Sequence, residues 1–387
     1  MLTARGRAPG GLHRPDRSGR APASARAAVA QLPPPGGSPN PYAELLYAAL
    51  AAHGMPRAPF GGLSLGALWR SRRTVAFLHF HWRPDRWYAP SLDRPGALGR
   101  ARRVRAGAEL CRFALHLACA RLLGYRIVWT VHEVRPPRHA RIDRAGLALL
   151  ARASCALLAH NRAVADQLRQ ELGRPLAIEV VPHGTFRGVY LPARSADELR
   201  AELGIRAGAF VFLCFGQLRA DKDVSLLLDG FAAAGLPDAY LVIAGAPADG
   251  PSRRRVQQAA EADGRICAML ELVPHERVAE LFGIADAFVL ARSTVWTSGS
   301  LVLALSLGVP AVAARLPPVL ELLGDGEAGW LFAPGDVESL TGALRAAALD
   351  RAAGADKRRA ALRRGAELPS WEDVACGTTR LLARDAR

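Results

Sequence analysis

No two of the six cysteines (Cys111, Cys119, Cys155, Cys214, Cys267 and Cys376) form a C-x-x-C pair, and most lie inside apolar runs. That excludes a zinc ribbon or a dense disulfide framework and predicts a reduced, intracellular chain. No uninterrupted run of ~18 apolar residues occurs, so no transmembrane helix is expected. The Arg-rich first residues lack a following apolar h-region, so they do not read as a signal peptide. Lysine is rare: nearly all of the net charge of +16 comes from arginine. Abundant Ala, Arg and Gly fit a GC-rich genome. The same charge would attract an anionic lipid surface or a nucleotide phosphate. Nucleic acid is not expected as a partner, because no recognition motif accompanies the charge.

What is present is enough for two domains: 387 residues, half of them hydrophobic. Residues 1–26 are Arg, Gly, Pro, Ala and Ser without periodicity, and are expected to be a disordered tail. From residue 27 onward short apolar runs alternate with helical patterns. The first series has strands over 27–32, 74–82, 126–133, 155–160 and 177–184. A helix follows Asn40-Pro41-Tyr42, with Pro41 near its first position and Gly54 as its stop. The stretch from Arg100 to Leu123 clusters Arg100, Arg102, Arg103, Arg105 and Arg112 near Leu110, Phe113, Leu115 and Leu117. It reads as a solvated helix face or as a patch that lies on anionic lipid. After a connector, the second series has strands over 210–215, 239–244, 266–270, 287–290 and 311–313. Two such series predict an α/β chain of two Rossmann-like, doubly wound domains facing a cleft.

Two turns of the second series attract attention. Thr297-Ser298-Gly299-Ser300 lies between the strand at Ala287–Leu290 and an apolar helix that ends near Gly308. Unpaired N–H groups and the positive dipole end at such a helix start suit a phosphate, although Thr297 and Ser298 also suit plain N-caps. Gly216-Gln217-Leu218-Arg219 follows the strand at Phe210–Phe215, with Lys222 three residues further on. Arg as a fork and Lys as a point charge would neutralise a diphosphate there. In the first series, His132 and Glu133 fall at a strand's C-terminal end, where open α/β sheets bind ligands. His79 and His81 have no carboxylate at a ligand spacing, so no metal site is expected.

These pieces resemble a known family. Phe215 to Lys222 is similar to its G-x-[LI]-x-x-x-K-[GN] loop, and Tyr240-Leu-Val-Ile-Ala-Gly245 to its L-x-I-x-G strand. Val273-Pro-His…Ala285-Asp286 is similar to the stretch that holds the nucleobase, Leu303 to Pro310 to its E-A-x-A-x-G-x-P helix, and Gly329 to Asp336 to its tail. The chain therefore resembles GT-B glycosyltransferases, similar to the retaining, family 4-like enzymes of bacterial polysaccharide and glycolipid synthesis. One departure is clear. The family's E-x7-E glutamates fall on Trp296 and Ala304. A subset with T-S-G-S-L, N-P-Y, H-x-H-W and W-T-V-H pieces shares that loss, and Asn40 to Tyr42, His79 to Trp82 and Trp129 to His132 match it.

The resemblance implies a domain at 27–190 for the acceptor, one at 191–365 for the donor, and a helix at 366–387 crossing back to the first. It implies a nucleotide-diphosphate sugar as donor, a lipid-linked or saccharide acceptor, no metal or other cofactor, and a cytoplasmic enzyme; whether it is free in the cytoplasm or peripheral on the inner face of the cell membrane is left open by the charge. Arg219 and Lys222 would stabilise the departing diphosphate. His132 would bind the transferred sugar or shuttle a proton. Gly216, Gln217, Val273, Thr297, Ser298, Gly299, Ser300, Glu133 and His183 would line the substrate site. A GT-B epimerase or a non-catalytic nucleotide-sugar or lipid-binding protein would share the fold.

Overall fold

The computed structural model describes residues 27–34, 40–82, 100–134, 140–173, 175–218 and 222–384. The tail at 1–26 and Arg219 lie outside them. The first domain runs β1 (Ala28–Leu32), α1 (Tyr42–Ala52), α2 (Leu65–Ser71), β2 (Val75–His81), α3 (Arg100–Leu122), β3 (Arg126–Val131), α4 (Ala140–Ala153), β4 (Ala156–Ala159), α5 (Arg162–Leu172) and β5 (Glu179–Val180). Its five strands pair in parallel, in simple sequence order. Near-continuous apolar runs such as Ile127-Val-Trp-Thr-Val131 are what a sheet covered on both faces requires. Helix α5 starts where the Asn161 side chain accepts from the Val164 amide, and ends at left-handed Gly173.

The second domain runs α6 (Ala196–Glu202), β6 (Phe210–Phe215), α7 (Val224–Ala234), β7 (Ala239–Ala244), α8 (Gly250–Ala262), β8 (Ile266–Met269), α9 (His275–Ile284), β9 (Ala287–Leu290), α10 (Gly299–Ser306), β10 (Ala311–Ala314), α11 (Pro317–Leu323), β11 (Gly329–Phe332), α12 (Val337–Leu349), α13 (Arg351–Glu367) and α14 (Trp371–Arg384). Its strand order is β11-β10-β9-β6-β7-β8, all parallel. The chain moves outward from β6 to β8, then returns to β9 on the other side. The order thus reverses between β6 and β9, and ligands bind beyond the carboxyl ends of strands at such a point.

Some expectations need adjusting. The strand read over 177–184 pairs only at Glu179–Val180, because it is an exposed edge and Pro182 cannot donate to a ladder. A sixth strand of the second sheet, β11, pairs with β10 and was not among those expected. Helix α10 begins at Gly299, with Ser298 as its cap.

Two apolar clusters cover the two faces of the second sheet, and α10 supplies Leu301 to Leu305 to one of them. Helix α14 leaves the second domain and packs on α1: Val374, Ala375 and Leu382 share a cluster with Tyr42, Leu46, Tyr47 and Leu50. Helix α13 lies so close to α10 that a Cβ at Gly365 would stand 2.0 Å from the Leu305 carbonyl oxygen. Gly365→Ala must therefore push α13 off the helix that carries the Ser298–Gly299 turn. The expected loss is about 1–3 kcal/mol of unfolding free energy, read by denaturant melts. An unchanged midpoint would show that the two backbones are not in contact.

Candidate active site

The turns after β6 and β9 leave the carboxyl ends of two hydrogen-bonded neighbours at the switch point. Gly216, with φ +95°, turns the chain out of β6 in a conformation that only glycine adopts without strain. The Lys222 ammonium returns beneath this turn and donates to the Phe215 carbonyl, and the residue is buried. Gln217 is exposed beside it. At the other turn, the Ser298 hydroxyl accepts from the Leu301 amide (3.2 Å), so Ser298 is a true N-cap. The amides of Gly299 and Ser300 have no partner among the described residues. They are the donors this helix start still offers an anion. Val273 follows edge strand β8, two strands from β6, and packs partly against the core.

Facing these turns across the cleft is a cluster of histidines from the first domain. His81 ends β2, His132 follows β3, His160 follows β4, and His183 lies just beyond β5. Tyr42 is the hub, with ring centroids 5.0–5.8 Å from those of His81, His132, His160, His183 and Trp371. His160 Nδ1 donates to the Val181 carbonyl (3.0 Å), which leaves Nε2 to accept from the Tyr42 hydroxyl (3.1 Å). His183 Nδ1 donates to the Gly184 carbonyl (2.7 Å). Its Nε2 then carries a lone pair, 3.8 Å from where a Cβ on Gly299 would stand. His79 Nε2 meets the Thr130 hydroxyl at 2.8 Å. Burial pushes His160 down to about 4, and His79 and His183 down to about 3. These rings are neutral at pH 7.

Behind the Thr297–Ser298 turn lies a cavity of about 220 Å³, lined among others by His160, His183, Trp296, Thr297, Glu321 and Glu367. The Thr297 hydroxyl is buried there without a partner. Trp296 packs into the first domain's core, and its carbonyl accepts from Asn161 Nδ2 (2.7 Å). The structure thus brings Ser298, Gly299 and Ser300 to His183 and, through His160, to His132, while Lys222 stands at the end of the neighbouring strand β6. Glu133 is half-buried next to His132. Among the described residues, no group of three or more His, Cys, Asp or Glu is arranged to hold a metal ion.

Residues 195–368 match the family model described as glycosyl transferases group 1. The chain is 28% identical over 299 residues to a GDP-mannose:glycolipid 4-beta-D-mannosyltransferase of Xanthomonas campestris pv. campestris, covering 77% of this chain and 76% of that one. It is also 28% identical over 282 residues to a 2-deoxystreptamine N-acetyl-D-glucosaminyltransferase of Streptomyces fradiae, covering 70% and 64%. An Anabaena protein solved with UDP and glucose superposes with a TM-score of 0.71 at 17% identity, over 92% of this chain and 99% of that one. A sucrose-phosphate synthase from Thermosynechococcus elongatus gives 0.69 at 17% identity, over 93% and 99%. The second domain is a group 1 glycosyltransferase domain, and the chain as a whole has the GT-B fold.

In this domain the two E-x7-E positions have become packing. Ala304 is fully buried and Trp296 bridges the domains. The sequence reading missed Tyr47, His160 and Trp371 as members of the cluster. The usable signal was one histidine at or just beyond the C-terminal end of successive strands.

Below pH 6.5, the ordinary histidine value, the unfolded chain takes up protons that the folded cluster refuses. Stability is therefore full above pH 6.5 and falls as the pH drops toward about 4, by ~1.4 kcal/mol per pH unit for each such histidine. His160→Asn, which keeps an N–H toward Val181, should flatten the slope of melting free energy against pH. Equal slopes would remove His160 from the account.

Proposed function

We propose that this enzyme transfers a sugar from a nucleotide-diphosphate sugar to a lipid-linked or saccharide acceptor, without a metal. What supports the proposal is that Lys222 lies in the turn after β6 and the unpartnered Gly299 and Ser300 amides in the turn after β9, two neighbouring strands at the switch point. A cation and two fixed N–H groups in a cleft are what a departing diphosphate needs. Arg219, three residues after Gly216 in the sequence and outside the described residues, would add a second cation. Val273 would meet the base at the far end of the crevice, with Gln217 and Gly216 between. The transferred sugar would enter the cavity behind Thr297, where the Thr297 hydroxyl and His183 Nε2 await hydroxyl partners, with His132 against the sugar from the first domain and Glu133 on the acceptor side. The glycolipid acceptor named for the Xanthomonas relative supports a lipid-linked acceptor here. The UDP and glucose in the Anabaena structure support a nucleotide sugar.

In the reaction, the bond from C1 to the diphosphate oxygen breaks and a bond from C1 to the acceptor oxygen forms. With retention, the outcome implied by the sequence resemblance, attack comes from the face of the departing diphosphate, whose oxygen takes the acceptor proton. The β linkage in the Xanthomonas relative's name favours a second reading. From an α-linked donor, that product requires attack from the opposite face. The anomeric coupling constant of the product distinguishes the two.

Work at an anionic membrane surface, on the inner face of the cell membrane, fits the outer side of the first domain. No helix among the described residues is long and apolar enough to span a bilayer. Helix α3 exposes Val104, Leu115 and Leu122, and α2 beside it exposes Leu65 and Trp69, with Arg72 over the Trp69 ring. Such apolar residues among arginines suit a surface-lying element.

Lys222→Ala should lower turnover at saturating donor by about 10²-fold or more, with the melting temperature as a folding control. A folded variant with unchanged turnover would overturn the diphosphate assignment. Thermal shifts with UDP-, GDP- and dTDP-sugars should identify the donor base, since a ligand stabilises by RT ln(1 + [L]/Kd).

A further inference from the structure

A buried hydrogen-bond chain runs from α1 to the cleft. Tyr47 Oη lies 3.0 Å from His81 Nε2, and His81 Nδ1 lies 3.0 Å from His132 Nε2. Distance alone allows two directions. In one, the Tyr47 hydroxyl donates to His81 Nε2 and His81 donates from Nδ1 to His132 Nε2. In the other, every bond is reversed and Tyr47 only accepts, leaving its hydroxyl hydrogen without an acceptor. Tyr47 is 2% exposed, and its hydroxyl has no other polar partner among the described residues. Stranding a buried hydroxyl hydrogen forfeits its desolvation, so the first direction prevails. The Arg57 guanidinium, 5.7 Å from the centre of the Tyr47 ring, further favours the phenol as donor.

His81 must also be neutral for this chain to have one direction. It is 1% exposed, with His79 at 4.2 Å between ring centroids, and its ring neighbours are Tyr42, Tyr47, Trp82 and His132. No carboxylate is among these partners to support an imidazolium, and burial holds His81 well below the usual histidine value. The His132 ring is also held in place. Trp82 stacks on it at 5.2 Å and 22°, and Tyr42 and His160 press their edges against it.

We propose that Tyr47 and His81 fix His132 as the neutral tautomer with its proton on Nδ1. Its Nε2 lone pair is used by His81, so His132 serves the transferred sugar as a hydrogen-bond donor and not as a proton acceptor. This rests on the sugar contact assigned to His132 above. Tyr47 and His81 are positioning residues: they act only through the tautomer they impose. The consequence for the reaction is concrete. The acceptor proton leaves by another route, either to the departing diphosphate or to a base other than His132.

Long-range 15N–1H spectra of the histidine-labelled full chain read the tautomer directly. The expected signature for His132 is a protonated Nδ1 and a bare Nε2. A protonated Nε2 would overturn the proposal whatever the kinetics. Tyr47→Phe, which keeps the ring, should lower the Nδ1–H fraction of His132 and reduce kcat about 10-fold with donor KM little changed. An unaltered His132 spectrum in that variant would also overturn it. Replacement of His132 separates donor from base. His132→Asn keeps an N–H near the Nδ1 position and should remain within about 10-fold of wild type, whereas His132→Ala should lose about 100-fold or more. Equal inactivity of the Asn and Ala variants would assign a base and refute the donor role. Wild-type turnover in His132→Ala would instead remove the sugar contact itself, and the spectra would still judge the tautomer.

Discussion

One indole against one glycine sets the distance across the cleft. A Cβ on Gly184 would stand 2.6 Å from Trp371 Cδ2, so the connecting segment and the start of α14 lie in direct contact. Trp371 Nε1 donates to the Thr185 carbonyl (2.7 Å), and the Thr185 amide donates to the Pro369 carbonyl (2.9 Å). From the second domain, the Ser306 hydroxyl accepts from the Phe186 amide (2.9 Å). The segment that carries His183 is thereby held by α10 on one side and by the crossing helix on the other. The position of His183 beside Gly299 follows from this junction, and Trp296 with Asn161 ties the two domains at a second point.

The histidine cluster follows from the same junction. Ring packing around Tyr42 and Trp371 removes water, and a charged imidazole there would lose hydration that no carboxylate partner replaces. Neutral rings are affordable because each keeps a hydrogen-bond partner: a carbonyl for His160 and His183, a hydroxyl for His79, and a phenol and a second imidazole for His81. Partners that can only accept fix two of these tautomers outright. In this cluster burial takes away the proton switch usually associated with histidine and leaves a set of fixed donors and acceptors.

Much of the architecture was legible because parallel strands buried on both faces leave short apolar runs, as at Phe210–Phe215 and Ala239–Ala244, punctuated by glycines. The Gly216 and Ser298–Gly299 turns were legible for the same reason: each follows such a run and precedes a helix. Strand β11 was harder to see, since Gly329-Trp-Leu-Phe332 is brief and opens on a glycine. Helix α2 is short and begins at a Ser64 cap amid Gly-rich sequence, so periodicity had little length to act on. The histidine cluster was legible only in pieces. His81, His132, His160 and His183 are far apart in sequence, and only the strand order β2-β3-β4-β5 brings their ends side by side. Trp371 could not be placed from sequence, because its partner, Gly184, lies in the other half of the chain.

The lost glutamates then fit the geometry. Ala304 sits inside an α10 whose buried residues run from Leu301 to Ser306, and a carboxylate there would be buried in the core between α10 and the sheet. Trp296 contributes apolar contact to the first domain in place of a charge. The carboxylates that remain near the turn, Glu321 and Glu367, line the cavity behind Ser298, where Glu367 pairs with Arg364. Lys222 and Gly216 do not line that cavity. The turn thus divides an amide-lined front near Lys222 from a back that holds two carboxylates, Arg364 paired with one of them, a lone-pair nitrogen and an unpartnered hydroxyl. In the proposed reaction the diphosphate would be favoured at the front, and a ring bearing hydroxyl groups would satisfy the back. The polarity of the two sides alone is enough to orient a donor whose two ends differ in this way.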